Sequence, residues 1–131
     1  MRKFFSNHKI FFYFTNFFFI FLYLFPGSLL GLFFYSDKKI QPQITPDLII
    51  SSNHFYVFVL LSIIGFSTFI KLKQIKILVI YLISLSIVLE IFHLFIPERS
   101  FQWSDLFGNL FGVVVVIFIK KLINKYEVFK K

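Results

Sequence analysis

Four stretches of this sequence, about 10–25, 55–70, 77–96 and 106–119, are apolar almost throughout, and Glu90 is the only Asp, Glu, Lys or Arg within them. A hydrocarbon core about 30 Å thick takes about 20 apolar residues as a helix. The third stretch is long enough outright. The second and fourth are short, and borrow a turn from their flanks or sit slightly immersed. The first is interrupted by Pro26-Gly27 and continues apolar from Ser28 to Tyr35. Those two residues either end the helix or break it into a span and a re-entrant or interfacial piece, and both options stay open. Open strands cannot cross lipid, because every backbone polar group must be satisfied internally. A barrel would alternate polar and apolar residues. The stretches therefore read as helices.

Composition supports the same class. Hydrophobic residues make up 58% of the chain, charged residues 15%, Phe alone accounts for 23 positions, and mean hydropathy is +0.83. A soluble domain carries about 45–50% apolar and about 25% charged residues. Disorder is excluded by the same numbers. The 131 residues make one domain. Without cysteine there is no disulfide, thiolate metal site or Cys nucleophile. The basic start followed by an apolar run also fits a secretory signal, but the run is at the long end for one and no Ala-x-Ala follows it, so an uncleaved first span is preferred.

Lys and Arg set the expected orientation. Arg2, Lys3 and Lys9 precede the first span, Lys71, Lys73 and Lys76 lie between the second and third, and Lys120, Lys121, Lys125, Lys130 and Lys131 follow the fourth. Only Lys38, Lys39 and Arg99 fall on the other side. Positive residues resist translocation, so the larger set marks the cytoplasm. The expected fold is an all-α membrane protein: a bundle of four transmembrane helices, N-in and C-in, with an outer loop at about 36–53. Asp37, Asp47, Glu90, Glu98 and Asp105 fall in or near the outer half, and Glu127 inside. The net charge of +8 would suggest nucleic acid in a soluble protein. Here the charges lie beside spans, which fits contact with anionic membrane lipids and no nucleic-acid partner.

The membrane does not explain His54, Glu90, His93, Pro97, Arg99, Asp105 and Asn109. Glu90, His93 and Pro97 recur at i, i+3 and i+7, and Asp105, Asn109 and Gly112 at i, i+4 and i+7, each set on one helix face. His54 opens the second span. Three helices thus bring polar groups to one depth on the outer side. A carboxylate in the bilayer centre costs about 2.5–3.5 kcal/mol on insertion scales. Glu90 should therefore be paired, protonated or open to a pocket, with His93, His54 and Arg99 as partners. A purely structural network that clamps the helices accounts for the same residues.

Glu90-x-x-His93 with His54 and Asp105 has the residue types for zinc or iron. That spacing is common by chance, and a di-iron bundle needs two such pairs. No metal or cofactor is assigned. Ser100 and Ser104 lie nearby without a nucleophile motif, so no catalytic residue is assigned either. Gly108 to Gly112 and Gly27 to Gly31 are both Gly-x-x-x-Gly, a spacing for close backbone approach. Packing within the bundle is preferred to a homo-oligomer seam, which stays possible. Trp103, with Phe101, reads as an outer-interface anchor.

From His54-Phe55 through Glu90, Pro97, Arg99, Asp105, Asn109 and Gly112, the chain resembles the VanZ-like family of small bacterial membrane proteins. That pattern is a His-Phe opening one span, a Glu near the end of the next, Pro and Arg in a short loop, then Asp, Asn and Gly opening the last. The resemblance covers roughly His54 to Gly112. The family often carries Asp-Lys where this chain has Ile50 and Ser51, and Gln where it has His93. The resemblance implies four spans in the bacterial plasma membrane and a family link to low-level glycopeptide resistance, which does not extend to this chain by itself.

The functional expectation is an envelope membrane protein with a polar outward-facing site. His54, Glu90, His93, Arg99, Asp105 and Asn109 line the site, which takes an envelope lipid or another anionic group. Gly108 and Gly112 serve helix packing. A membrane scaffold or assembly protein, and a membrane enzyme acting on an envelope lipid, are the alternatives.

Overall fold

The computed structural model describes residues 2–129, with side chains for residues 8–126. The side chains of Arg2, Lys3, Glu127, Lys130 and Lys131, which entered the charge count above, lie outside that range. The described residues form five helices and no strand: α1 (Arg2–Leu24), α2 (Leu29–Tyr35), α3 (Ser52–Thr68), α4 (Leu72–Phe92) and α5 (Trp103–Phe129).

Each helix end has a local cause. α1 stops at Leu24 because Pro26 disfavours a helical Phe25, and Gly27 then takes φ +75°, which glycine adopts without steric cost. Ser28 restarts the helix, its Oγ accepting from the Gly31 N–H at 2.9 Å. The two pieces meet at 79°, so the interrupted first stretch is broken. Its Gly27-x-x-x-Gly31 spacing is not a helix face. A Cβ on Gly27 would meet the Lys38 carbonyl and one on Gly31 the Ile40 carbonyl, so both glycines admit the loop. At the start of α3 the Ser51 side chain makes no cap bond. Asp47 caps instead, its Oδ1 accepting from the Ser52 N–H at 2.7 Å. α4 ends at Phe92, and Glu98 turns the chain with φ 62°. Pro97 is therefore off the helix, and the expected Glu90–His93–Pro97 face reduces to Glu90 and His93. Glu90 lies in the last turn of α4, nearer its end than the spacing to Pro97 suggested.

The long helices alternate in direction. The end of α1, the start of α3, the end of α4 and the start of α5 meet at one end of the bundle, where Ser51 N–H donates to the Ser104 carbonyl at 3.1 Å. At the other end Thr68 Oγ1 donates to the His8 carbonyl at 3.4 Å and Lys120 Nζ to the Phe66 carbonyl at 3.1 Å. These are called the polar end and the basic end below. α3 and α5 share the largest contact, with α1 packed on α3 and α4 on α5. Gly108 and Gly112 make that contact close: a Cβ would stand 2.7 Å from the Ser51 carbonyl at Gly108 and 2.7 Å from the Phe55 carbonyl at Gly112. The core between the helices holds Phe12, Phe58, Leu61, Leu82, Leu89 and Val113.

The outer faces are apolar. Phe14, Phe17, Ile80, Phe111 and Phe118 are all exposed. α4 (Leu72–Phe92) and the Trp103–Tyr126 part of α5 are long and apolar enough to cross a membrane: each holds an 18-residue stretch, of mean hydropathy 2.4 and 2.1 respectively, of which only 28% is buried inside the protein. The bent α1–α2 pair makes a third if it counts as one span. α3, with 17 residues, is about 26 Å long at about 1.5 Å per residue, short of a hydrocarbon core. Apolar area on this scale belongs in lipid, so the chain is membrane-associated.

Candidate functional site

The polar end assembles five of the six expected site residues from three helices. α3 supplies His54 in its first turn, α4 supplies Glu90 and then His93 at its C-cap, and α5 supplies Asp105 in its first turn and Asn109 one turn later. Glu90, His93 and Asn109 are buried. The side chains of His54 and Asp105 keep 14% and 15% exposure, which opens them to the cavity described below. Asp105 also suits the start of α5 electrostatically, because the positive end of the helix dipole favours a carboxylate there.

Glu90 is held from two directions. Its Oε1 accepts from the Gln102 N–H at 2.8 Å. Its Oε2 stands 3.2 Å from His93 Nδ1, yet no hydrogen bond to Oε2 is aligned. His93 Nε2 lies 3.0 Å from the Tyr23 carbonyl. A carbonyl only accepts, so Nε2 carries the N–H, and Nδ1 carries a proton only if the ring is an imidazolium. His54 Nε2 faces Asp105 Oδ2 at 3.5 Å, and His54 Nδ1 is buried with no hydrogen-bond partner. One ligand atom from each of His54, Glu90 and Asp105 lies within 4.8 Å of the others. Their donor set, an imidazole nitrogen and two carboxylate oxygens, has metal-ligating chemistry.

Tyr23 is the residue the sequence did not single out. It is buried where α1 breaks, and its hydroxyl donates to Asn109 Oδ1 at 2.7 Å. Its ring stacks on His93 at 6.0 Å and meets His54 edge-on at 4.8 Å. Asn109 Nδ2 in turn donates to the Ser86 carbonyl at 3.4 Å. Tyr23 thus joins the first helix to the other three. The break after it was the available signal: a Tyr within one turn of Pro26-Gly27 sits where a helix end must find polar partners.

Arg99 is anchored to α1. It does not pair with Glu90. Its Nε donates to the Phe25 carbonyl at 3.2 Å and its Nη2 to the Leu22 carbonyl at 3.3 Å. Both acceptors are left over at the end of α1. Burial lowers the guanidinium pKa from its ordinary value, and the nearby Asp105 carboxylate opposes that shift. Arginine remains a cation throughout.

A cavity of about 380 Å³ opens at this end, lined by His54, His93, Arg99, Gln102 and Asp105 together with Lys38, Lys39 and Asp47. Lys38 is engaged with Glu98 at 3.0 Å. Asp47 is engaged with the Ser52 N–H and with Gln43 at 2.8 Å. Compared with known proteins, the chain matches no protein-family model, no curated protein and no solved structure.

Proposed function

We propose that this chain is a VanZ-like integral membrane protein of the bacterial envelope. In this reading it crosses the plasma membrane four times with both termini inside, and its outward-facing pocket binds an anionic group of an envelope lipid. α3 is the span that needs help from its flanks. The alternation of the long helices supports four crossings, since it gathers Lys9, Lys71, Lys73, Lys76 and Lys120 at one end of the bundle and Arg99 at the other.

The observation that carries the pocket reading is the cavity itself. Its anionic residues Asp47, Glu98 and Asp105 each face a partner, the Ser52 N–H, Lys38 and His54 respectively, whereas Arg99 spends two of its five N–H donors on α1. Arg99 and Lys39 are the cations left to meet a phosphate or carboxylate. The scaffold alternative is weaker because the Gly108–Gly112 face is filled by α3 and is not free for a partner.

The test is mass spectrometry of protein purified in mild detergent, with lipid extraction. An acidic phospholipid should travel with the wild type at a fixed ratio and be lost from Arg99→Gln and from Lys39→Gln, a surface change that leaves the helices intact. Reporter fusions should place the C-terminus in the cytoplasm and the 36–51 loop outside. Equal lipid retention by all three proteins, or both fusion sites in one compartment, overturns the reading.

A further inference from the structure

We propose that His54, Glu90 and Asp105 form a binding site for a divalent transition-metal ion of the zinc class. The proposal stands apart from the lipid reading and uses different residues from its cations.

Three observations carry it. The first is convergence: one imidazole and two carboxylates reach the same point from α3, α4 and α5, with ligand atoms within 4.8 Å of one another. Zinc bonds of about 2.0–2.2 Å in tetrahedral geometry put ligand atoms about 3.4 Å apart, so side-chain adjustment of little more than an ångström closes the set. The second is unsatisfied polarity. Glu90, which has no exposed surface, leaves Oε2 without a hydrogen bond, and His54 leaves Nδ1 buried without one. Buried polar atoms are normally satisfied, and each exception needs a partner. A cation between the two carboxylates supplies one to Glu90 and offsets the repulsion between Glu90 and Asp105.

The third is the surrounding shell. His93 faces Glu90 Oε2 at 3.2 Å and is itself fixed by the Tyr23 carbonyl at 3.0 Å. Outer partners of this kind orient ligating carboxylates. The imidazole in the set favours a zinc-class ion over Mg²⁺ or Ca²⁺, which take all-oxygen surroundings. Three protein ligands beside the cavity also leave a fourth position for water or an anion, since His54 and Asp105 line that cavity.

The experiment is zinc titration of the full chain in detergent micelles, read by calorimetry and by elemental analysis after desalting, with helical circular dichroism as the folding control. The wild type should bind one Zn²⁺ per chain and unfold at a higher temperature with zinc present. Asp105→Asn and Glu90→Gln preserve shape, and in the second the new amide oxygen still accepts from the Gln102 N–H. Each should lose retention and the thermal shift. His93→Gln, which touches Glu90 without being a ligand, should weaken affinity by about 10–100-fold. His54→Ala covers the case in which a carboxylate variant does not fold. The proposal is overturned if folded wild type retains no zinc, if the triad variants retain it equally, or if Mg²⁺ or Ca²⁺ binds in its place.

Discussion

The two ends of the bundle handle charge in opposite ways. At the basic end Lys9, Lys71, Lys73, Lys76, Lys121 and Lys125 are exposed. Lys120 is the more committed cation, donating to the Phe66 carbonyl and lying 5.0 Å over the Phe66 ring. At the polar end Glu90 and His93 are buried, and Tyr23, Asn109 and Ser86 extend the network inward. Exposed cations do little for folding. Buried polar groups act through their partners: satisfied they fix helix register, and deprived of a partner they destabilise. The same residue types therefore carry different information at the two ends.

That contrast can be broken by substitution, and the largest effect belongs to the polar end. Glu90→Ala removes the acceptor of the Gln102 N–H and strips His93 of its partner. It should lower stability by about 3–5 kcal/mol, the range for breaking a buried pair, read by thermal unfolding in detergent; a loss no larger than that of a surface-lysine variant sinks the contrast. Gly108→Ala puts a Cβ 2.7 Å from the Ser51 carbonyl. Overpacking against backbone should cost about 1–3 kcal/mol, and an unchanged melting temperature would show that α3 and α5 separate freely.

Tyr23→Phe keeps the ring stacked on His93 and deletes only the bond to Asn109. It should cost about 0.5–1.5 kcal/mol. A double cycle with Asn109→Ala checks whether the two losses overlap, as they must if Tyr23 acts through Asn109. At the basic end, Lys120→Met removes a cation that sits beside the last turn of α3 and should cost about 0.3–1 kcal/mol, falling with added salt. Lys73→Gln should stay within about 0.5 kcal/mol of wild type. A larger loss there would mean that the basic end holds the fold as well.

Helix content and membrane character were legible in the sequence because both depend on local properties: runs of apolar residues, and Pro and Gly as punctuation. α5 contains the fourth apolar stretch, whereas α4 overlaps the third but starts earlier and ends at Phe92. The Gly108–Gly112 spacing also told its own story, since small residues one turn apart matter only where another backbone approaches. Pro97 misled, because periodicity continues a helix on paper past Phe92, where the chain passes into i,i+3 turns at His93, Leu94 and Phe95.

What the sequence determined by itself is that the polar residues collect near helix ends, because burying them in hydrocarbon is costly. What only the tertiary structure decided is their pairing. Spacing along one helix offered Glu90 to His93 and hinted at Arg99, but Arg99 turns to the open carbonyls of α1, and Tyr23 joins the network from a helix break far away in the chain. The grouping of His54, Glu90 and Asp105 belongs to no single helix. Contacts between side chains on different helices follow from how the helices pack, and packing is a property of the whole chain.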